Sequence, residues 1–322
     1  MRTAFLGSYG FGNLGDELCL IDALKQFPTE DAWVFSARRE FTERFVKVQG
    51  WFKTRAELWA LKPDRIVLGG GGVGFWPSLR DSLHWMYDPS RGEREVECHV
   101  YNIGVGKITH PDWGSDQIVQ NVLTNCASFT VRDHVSRWLC LEWPFKREPG
   151  LTFYPERKLA ADMTLAALMP DRPLLGVSIT GQRTMLEALK HNIERIRPVL
   201  SQFRGYGIVP IISTNHQWEA EEDDVLGFNT FADLFLRDYE IVLPQFLDKA
   251  WWHENLTPLR LKGIISKCNF LVSQRKHNII HAIGSNVPFL AIHPAEDDSL
   301  LRIIYSLHAE IAPLSGFLSL SK

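Results

Sequence analysis

Short runs of β-branched and aromatic residues alternate with amphipathic stretches along nearly the whole chain. That alternation predicts parallel sheets covered by helices. In the first half the runs predict strands at residues 3–7, 32–37, 64–70, 96–106 and 128–133. In the second half they predict strands at 174–180, 207–214, 239–243, 269–274 and 288–293. Between the halves, Met169-Pro170-Asp171-Arg172-Pro173 reads as a hinge, because proline ends a helix and fixes an extended exit. The expected fold is therefore α/β, with two doubly wound Rossmann-like domains, 1–170 and 171–322, facing a cleft in which a ligand binds.

Composition narrows the class. A chain of 322 residues has room for two full cores, and 45% hydrophobic with 23% charged residues excludes a largely disordered protein. Lys and Arg number 35 against 38 Asp and Glu, whereas a duplex-binding protein needs a basic excess to displace counterions, so nucleic acid is not an expected partner. The cysteines Cys19, Cys98, Cys126, Cys140 and Cys268 are odd in number and widely spaced, which reads as reduced thiols in a cytoplasmic protein. The start, Met1 to Gly15, lacks the apolar run of a signal peptide. Nowhere do about 18 apolar residues run uninterrupted, so no membrane span is expected, although attachment at the inner face of the membrane is compatible with the sequence. Eleven tryptophans serve packing or, as flat rigid faces, sugar binding; the stretch from Phe75-Trp76 to Trp85-Met86 is the candidate for the latter.

Ligands of open α/β sheets bind beyond the carboxyl ends of the strands, and the unusual residues of this chain fall there. Gly10-Phe11-Gly12-Asn13-Leu14-Gly15-Asp16 follows the first expected strand. It matches the dinucleotide fingerprint by letter, but Ser8-Tyr9 separate it from the strand and Arg38-Arg39 stand where the acidic residue belongs. The helix after it opens with Asp16-Glu17, which suits the positive dipole end and repels a phosphate, so a hydroxyl-rich ligand fits better. Gly69 to Gly72 serve a strand-to-helix turn, the packing of strand against helix, or a close approach of ligand to backbone. Arg132 is either a cleft-facing cation or a surface ion pair, with Asp133 as a helix cap; Arg183 carries the same ambiguity.

Arg275-Lys276-His277 is the most informative cluster. It precedes the amphipathic stretch Ile279-Ile280-Ala282-Ile283, so it occupies a first helical turn, where each cation costs about 0.3 to 1 kcal/mol. A bound anion explains that placement. As first-turn residues taken to be exposed, Arg275 and His277 are expected to contribute little to stability. His277 and His281 are four apart, but zinc needs at least three protein ligands and no third shows a persuasive spacing, so no metal and no cofactor are expected.

These residues together resemble the polysaccharide pyruvyl transferase family. Its opening glycine signature is matched from Tyr9 to Glu17, its glycine run by Gly69 to Gly72, its Arg-Asp element by Arg132-Asp133, and its Ser-x-Arg-Leu-His element by Ser273-Gln274-Arg275-Lys276-His277, followed by Gly284 to Pro288. Lys276 replaces the usual Leu, and His293-Pro294-Ala295-Glu296 stands where the family commonly has Tyr and Lys. The resemblance implies a GT-B-like fold, phosphoenolpyruvate as donor, and as acceptor a sugar of a surface polysaccharide or its precursor, free or lipid-linked. On that reading His277, Arg275 and Asp16 are the catalytic candidates. Arg132, Lys276, Arg183, Gly10, Gly12, Asn13, Gly15, Gly70 and Gly71 are the substrate-binding candidates. Rival readings are a GT-B glycosyltransferase using a nucleotide sugar, a non-catalytic sugar-binding protein and an NADP oxidoreductase.

Overall fold

The structure, a computed structural model, describes residues 1–74, 78–88, 95–106, 115–143, 147–215, 223–294 and 299–320. The chain divides into two units, Met1–Phe11 with Asp16–Glu156, and Gly12–Gly15 with Arg157–Lys322. In the first, β1 (Arg2–Leu6), β2 (Asp31–Phe35), β3 (Gly50–Phe52), β4 (Arg65–Gly74), β5 (Glu97–Val105), β6 (Ser128–Val131) and β7 (Gly150–Leu151) form a parallel sheet ordered β3-β2-β1-β4-β5-β6-β7. In the second, β8 (Leu174–Ser178), β9 (Gly207–Pro210), β10 (Phe270–Ser273), β11 (Phe289–Pro294) and β12 (Gly316–Leu320) form a parallel sheet ordered β12-β11-β10-β8-β9. Both units are Rossmann-like, as the hydrophobic pattern indicates. The strands are buried because helices cover both faces: every residue of β8 and of β9 is buried, as expected of parallel strands.

Strand order reverses direction between β1 and β4 in the first sheet and between β8 and β10 in the second. Those reversals separate the loops leaving neighbouring strands and open a crevice in each unit. The glycine-rich segment after β1 and the Arg275 cluster after β10 occupy these two places.

Three edge strands, β3, β7 and β12, lie outside the sequence reading; β3 and β7 are only three and two residues long, well below the usual strand length. The strand expected at 239–243 is reduced to a single bridge between Ile241 and Ile208. Leu243 turns to φ 59° ahead of Pro244 and ends the extended run. The glycine run is no turn: β4 continues through it, with Gly70 at φ 74° and Gly71 at φ 88°.

The passage between units falls at Glu156–Arg157, ahead of the proline hinge that the sequence suggests. Residues that follow are tied into the second unit. Lys262, buried in the helix Pro258–Lys267, donates to the carbonyls of Arg157 and Leu159. Arg157 pairs with Glu310 at 2.6 Å. None of the five cysteines is in a disulfide. Among the described residues no helix is long and apolar enough to cross a membrane.

Replacing Lys262 with Met would strand two buried carbonyl oxygens, each worth about 1 to 3 kcal/mol when left without a donor. Lys262→Met is therefore expected to lower unfolding free energy by about 2 to 5 kcal/mol in urea titration. A loss under about 1 kcal/mol would show that these carbonyls find other partners.

Candidate functional site

The second unit places the basic cluster at its crevice. Ser273 closes the turn after β10, its hydroxyl accepting from the Arg275 amide at 3.0 Å. Arg275 then stands at the N-cap of the helix Lys276–Gly284 with no side-chain cap hydrogen bond. Three other helices of this unit begin on Asp223, Asp248 and Thr257, each accepting from a first-turn amide, while those beginning on Gln182 and Asn192 also lack a side-chain cap. Here the cap position carries a cation instead.

Arg275 is not an exposed cation, and this corrects the expectation that it adds little to stability. Its Nε and Nη2 both lie 2.7 Å from Asp224 Oδ1, and Asp224 has no exposed surface. The other oxygen of Asp224 accepts from the Ser213 amide (2.9 Å), the Ser213 hydroxyl (2.9 Å) and the Thr214 amide (3.0 Å). Burial pushes the Asp224 carboxyl up from the usual carboxylate range, while Arg275 and Ser213 pull against that shift. Removing the guanidinium would leave a buried carboxylate without its counter-charge. The sequence offered no sign of this partner, since Asp224 ends an acidic run, Glu221-Glu222-Asp223-Asp224, that reads as a solvated face.

The same strand exit holds the strip Gly12–Gly15. Leu14 N donates to Ser213 O at 2.9 Å, Asn215 N donates to Gly12 O at 3.0 Å, and Asn13 bridges Thr214. Asn13 Oδ1 accepts from Gly15 N at 2.9 Å and closes a tight turn. Gly12 sits at φ 89°, and a Cβ on Gly15 would overlap the imidazole of His277. So Gly15, at the end of the strip, meets His277 within one unit, although the two are far apart in sequence. Lys276 begins the helix and is half-buried, one residue before His277.

Two sequence candidates stand differently. Arg183 has a side chain 80% exposed and pairs with Glu187 one turn on at 2.8 Å, the geometry of a surface ion pair worth about 0.3 to 0.5 kcal/mol. His281 is buried, and burial beside Lys262 pushes its imidazole down to about 3.

In the first unit, the residues between β1 and β4 are close-packed. A Cβ on Gly70 would overlap Cys19, and one on Gly71 would lie 2.7 Å from Asp16 Oδ1. The glycine run thus lets the helix Leu14–Gln26 sit directly on β4. Gly10, at φ 83°, has the same constraint from Ser36 and the Arg38 amide. Phe75 and Trp76, proposed for sugar binding, lie outside the described residues, as do Ala295 and Glu296.

Arg132 leaves the end of β6, and the surface-ion-pair alternative is excluded because it is only 6% exposed. Gly104 makes room for its guanidinium, which lies 5.5 Å from the centre of the Tyr154 ring. Its Nε is 3.8 Å from Asp133 Oδ2 and has no hydrogen-bond partner. Burial works against its charge, yet the surrounding groups, Asp133 and Glu156 among them, raise its pKa above the ordinary value. Asp133 caps the helix His134–Leu141 through Ser136 N at 2.7 Å. Beside Arg132 the sequence reading missed Glu156, fully buried and accepting from Asn102 Nδ2 at 2.9 Å.

A model of the family described as polysaccharide pyruvyl transferase matches residues 13–294. No curated protein matches the chain in sequence. Among solved structures, MnaA of S. aureus in its UDP co-structure aligns with TM-score 0.55 and 11% identity, covering 90% of this chain and 79% of that one. A putative UDP-N-acetylglucosamine 2-epimerase of Listeria monocytogenes aligns with TM-score 0.53 and 11% identity, covering 90% and 78%. HepE of Anabaena in complex with UDP gives 0.51 and 14%, covering 91% and 80%. At these identities the likeness is one of fold, and the fold is the GT-B type built from two Rossmann-like units.

Glu17 departs most from its sequence reading as a charge beside the helix dipole. It has no exposed surface and accepts from Gly10 N at 2.6 Å and Thr42 Oγ1 at 3.3 Å, with Oε2 lacking any partner. Burial pushes it up to about 8 from 4.5, so it is protonated at neutral pH and holds the loop as an uncharged acid. An acid whose native pKa exceeds its unfolded value binds more protons in the native state between the two. Stability therefore falls as pH rises from about 4.5 to about 8, by up to about 1.4 kcal/mol per unit. Below pH about 6.5 the buried neutral His281 works in the opposite sense, so denaturation of the wild type is expected to show the decline between pH about 6.5 and about 8. Glu17→Gln, which mimics the protonated acid, should flatten it; an unchanged slope would place the titration elsewhere.

Proposed function

The chain belongs to the polysaccharide pyruvyl transferase family, and from that premise we propose that it transfers the pyruvyl group of phosphoenolpyruvate to a sugar of a surface polysaccharide or its precursor. The product is a pyruvate ketal, and phosphate is released. The observation that carries this reading is the start of the helix Lys276–Gly284, where Arg275 takes the cap position and Lys276 and His277 fill the first turn. Cations and helix amides gathered at one switch point suit a small dianion carrying a carboxylate and a phosphate.

In this mechanism Arg275 and Lys276 hold the donor, and a bound dianion keeps His277 in its acid form. His277 delivers a proton to the methylene carbon, which becomes the methyl group, while positive charge develops on the adjacent carbon. Two sugar hydroxyls bond to that carbon and the bond to the phosphate oxygen breaks. Of the two hydroxyl protons, one replaces that spent by His277 and the other leaves with phosphate. In the first unit, Asp16 accepts a hydrogen bond from an acceptor hydroxyl and Arg132 balances anionic charge. Gly71 brings the backbone of β4 close to Asp16, Gly10 and Gly70 allow the close packing around it, and Gly15 lies against His277 at the end of the strip that Gly12 and Asn13 begin. Arg183 is given no part. The charge balance calls for no cofactor, and the acceptor, free or lipid-linked, is met in the cytoplasm or at the inner face of the membrane.

Phosphate release from phosphoenolpyruvate should require a glycan, and mass spectrometry over a broad panel of hexosides should find a product carrying the pyruvyl increment. Protection by UDP or GDP with no effect of phosphoenolpyruvate would favour the glycosyltransferase reading instead. Arg275→Lys should weaken donor binding by about 1.5 to 3 kcal/mol, since an ammonium lacks the guanidinium fork. His277→Ala should lower kcat by about 10² to 10⁴ with donor affinity changed less. Near wild-type kcat in His277→Ala across the pH range would remove the acid role.

A further inference from the structure

We propose that Asp224 is the positioning residue for Arg275, fixing the plane of its guanidinium so that the remaining edge meets the donor; this rests on the reading of Arg275 as a donor-binding group. An arginine side chain has several rotatable bonds, and holding it in one geometry costs entropy unless another contact has already fixed it. Asp224 makes that contact. Its Oδ1 takes both Nε and Nη2 of Arg275 at 2.7 Å, so the side edge of the fork is committed to protein. An anion is then gripped through the terminal edge, Nη1 with Nη2, which is the bidentate approach that carboxylate and phosphate favour.

Asp224 is itself immobile. It opens the helix Asp224–Phe235, its amide donates to Thr214 O at 3.2 Å, and its Oδ2 accepts from Ser213 N, Ser213 Oγ and Thr214 N at 2.9 to 3.0 Å. Ser213 is fixed in turn: its hydroxyl lies 3.3 Å from Asn278 Nδ2, which also donates to Ser178 Oγ at 2.7 Å. Ser178 from β8, Ser213 from the loop after β9 and Asn278 from the helix Lys276–Gly284 are all buried. The carboxylate that orients Arg275 thus leans on the same strand exit, Ser213 to Asn215, that holds the strip Gly12–Gly15 under His277. A partner shell of this kind is what precise placement of a ligand-gripping side chain requires.

The test is a double-mutant cycle on phosphoenolpyruvate binding, measured by isothermal titration. Asp224→Asn keeps shape and removes the charge. It should weaken phosphoenolpyruvate binding at least 10-fold, whereas in an Arg275→Ala background the same change should weaken it less than 2-fold, because its effect passes through the arginine. A merely structural residue would weaken binding by the same factor in both backgrounds, and that result overturns the proposal. Should Asp224→Asn fail to fold, Ser213→Ala removes one hydrogen bond to Oδ2 and leaves the ion pair in place. It should weaken binding about 2- to 5-fold in the wild-type background and not in Arg275→Ala, and equal factors would again overturn the proposal. Wild-type protein that binds no phosphoenolpyruvate would sink the donor reading and this proposal with it. Wild-type binding matched by Asp224→Asn would sink this proposal alone.

Discussion

A carboxylate removed wholly from water must be surrounded by donors and a counter-charge, and Asp224 is the place where this chain meets that demand. Its solution links three segments far apart in sequence: the exit around Ser213, the start of the helix after β10, and through Ser213 the strip Gly12–Gly15. Leaving such a group half-paired costs several kcal/mol, so the crevice of the second unit tolerates little local rearrangement. The cation at the helix start is thereby accounted for twice, by an internal carboxylate and by the ligand proposed for it.

The first unit solves a related problem with less charge pairing. Arg132, Glu156, Asn102 and Cys19 share a buried polar cluster, in which Asn102 adopts φ 51° within β5 and Arg132 keeps an unpartnered Nε. Unsatisfied buried donors are uncommon in folded proteins and call for a reason. A bound anion is such a reason for Arg132, and it agrees with the part given to that residue above. Glu17, by contrast, meets its burial by keeping its proton.

Architecture was legible where the physical signal was strong. Buried parallel strands such as β8 and β10 are near-continuous apolar runs, and the loops leaving them carry the residues that do not fit a core. The edge strands β3 and β7, three and two residues long, are too short to announce themselves, and the extended stretch at 239–243 failed because Leu243 and Pro244 stop it after a single bridge. Motif residues were legible as a set, since glycines at positive φ and cations at a helix start break ordinary preferences and so need a cause. Their partners were not. Asp224, Glu17 and Glu156 are acidic residues like many others in the sequence, and only the fold distinguishes a carboxylate buried against arginine from one in water. Of the readings open to the four glycines, the fold realises the packing of helix on strand, with Gly70 against Cys19 and Gly71 against Asp16, a choice that no single-residue preference makes.

The central claim is that the start of the helix Lys276–Gly284 receives the donor. Determining the structure of the protein with phosphoenolpyruvate bound tests it most directly. The account predicts the carboxylate or phosphate within hydrogen-bond distance of Arg275, with His277 beside the methylene carbon and the Asp224–Arg275 pair intact. Phosphoenolpyruvate held instead by residues of the first unit alone, with Arg275 and His277 out of contact, would contradict it.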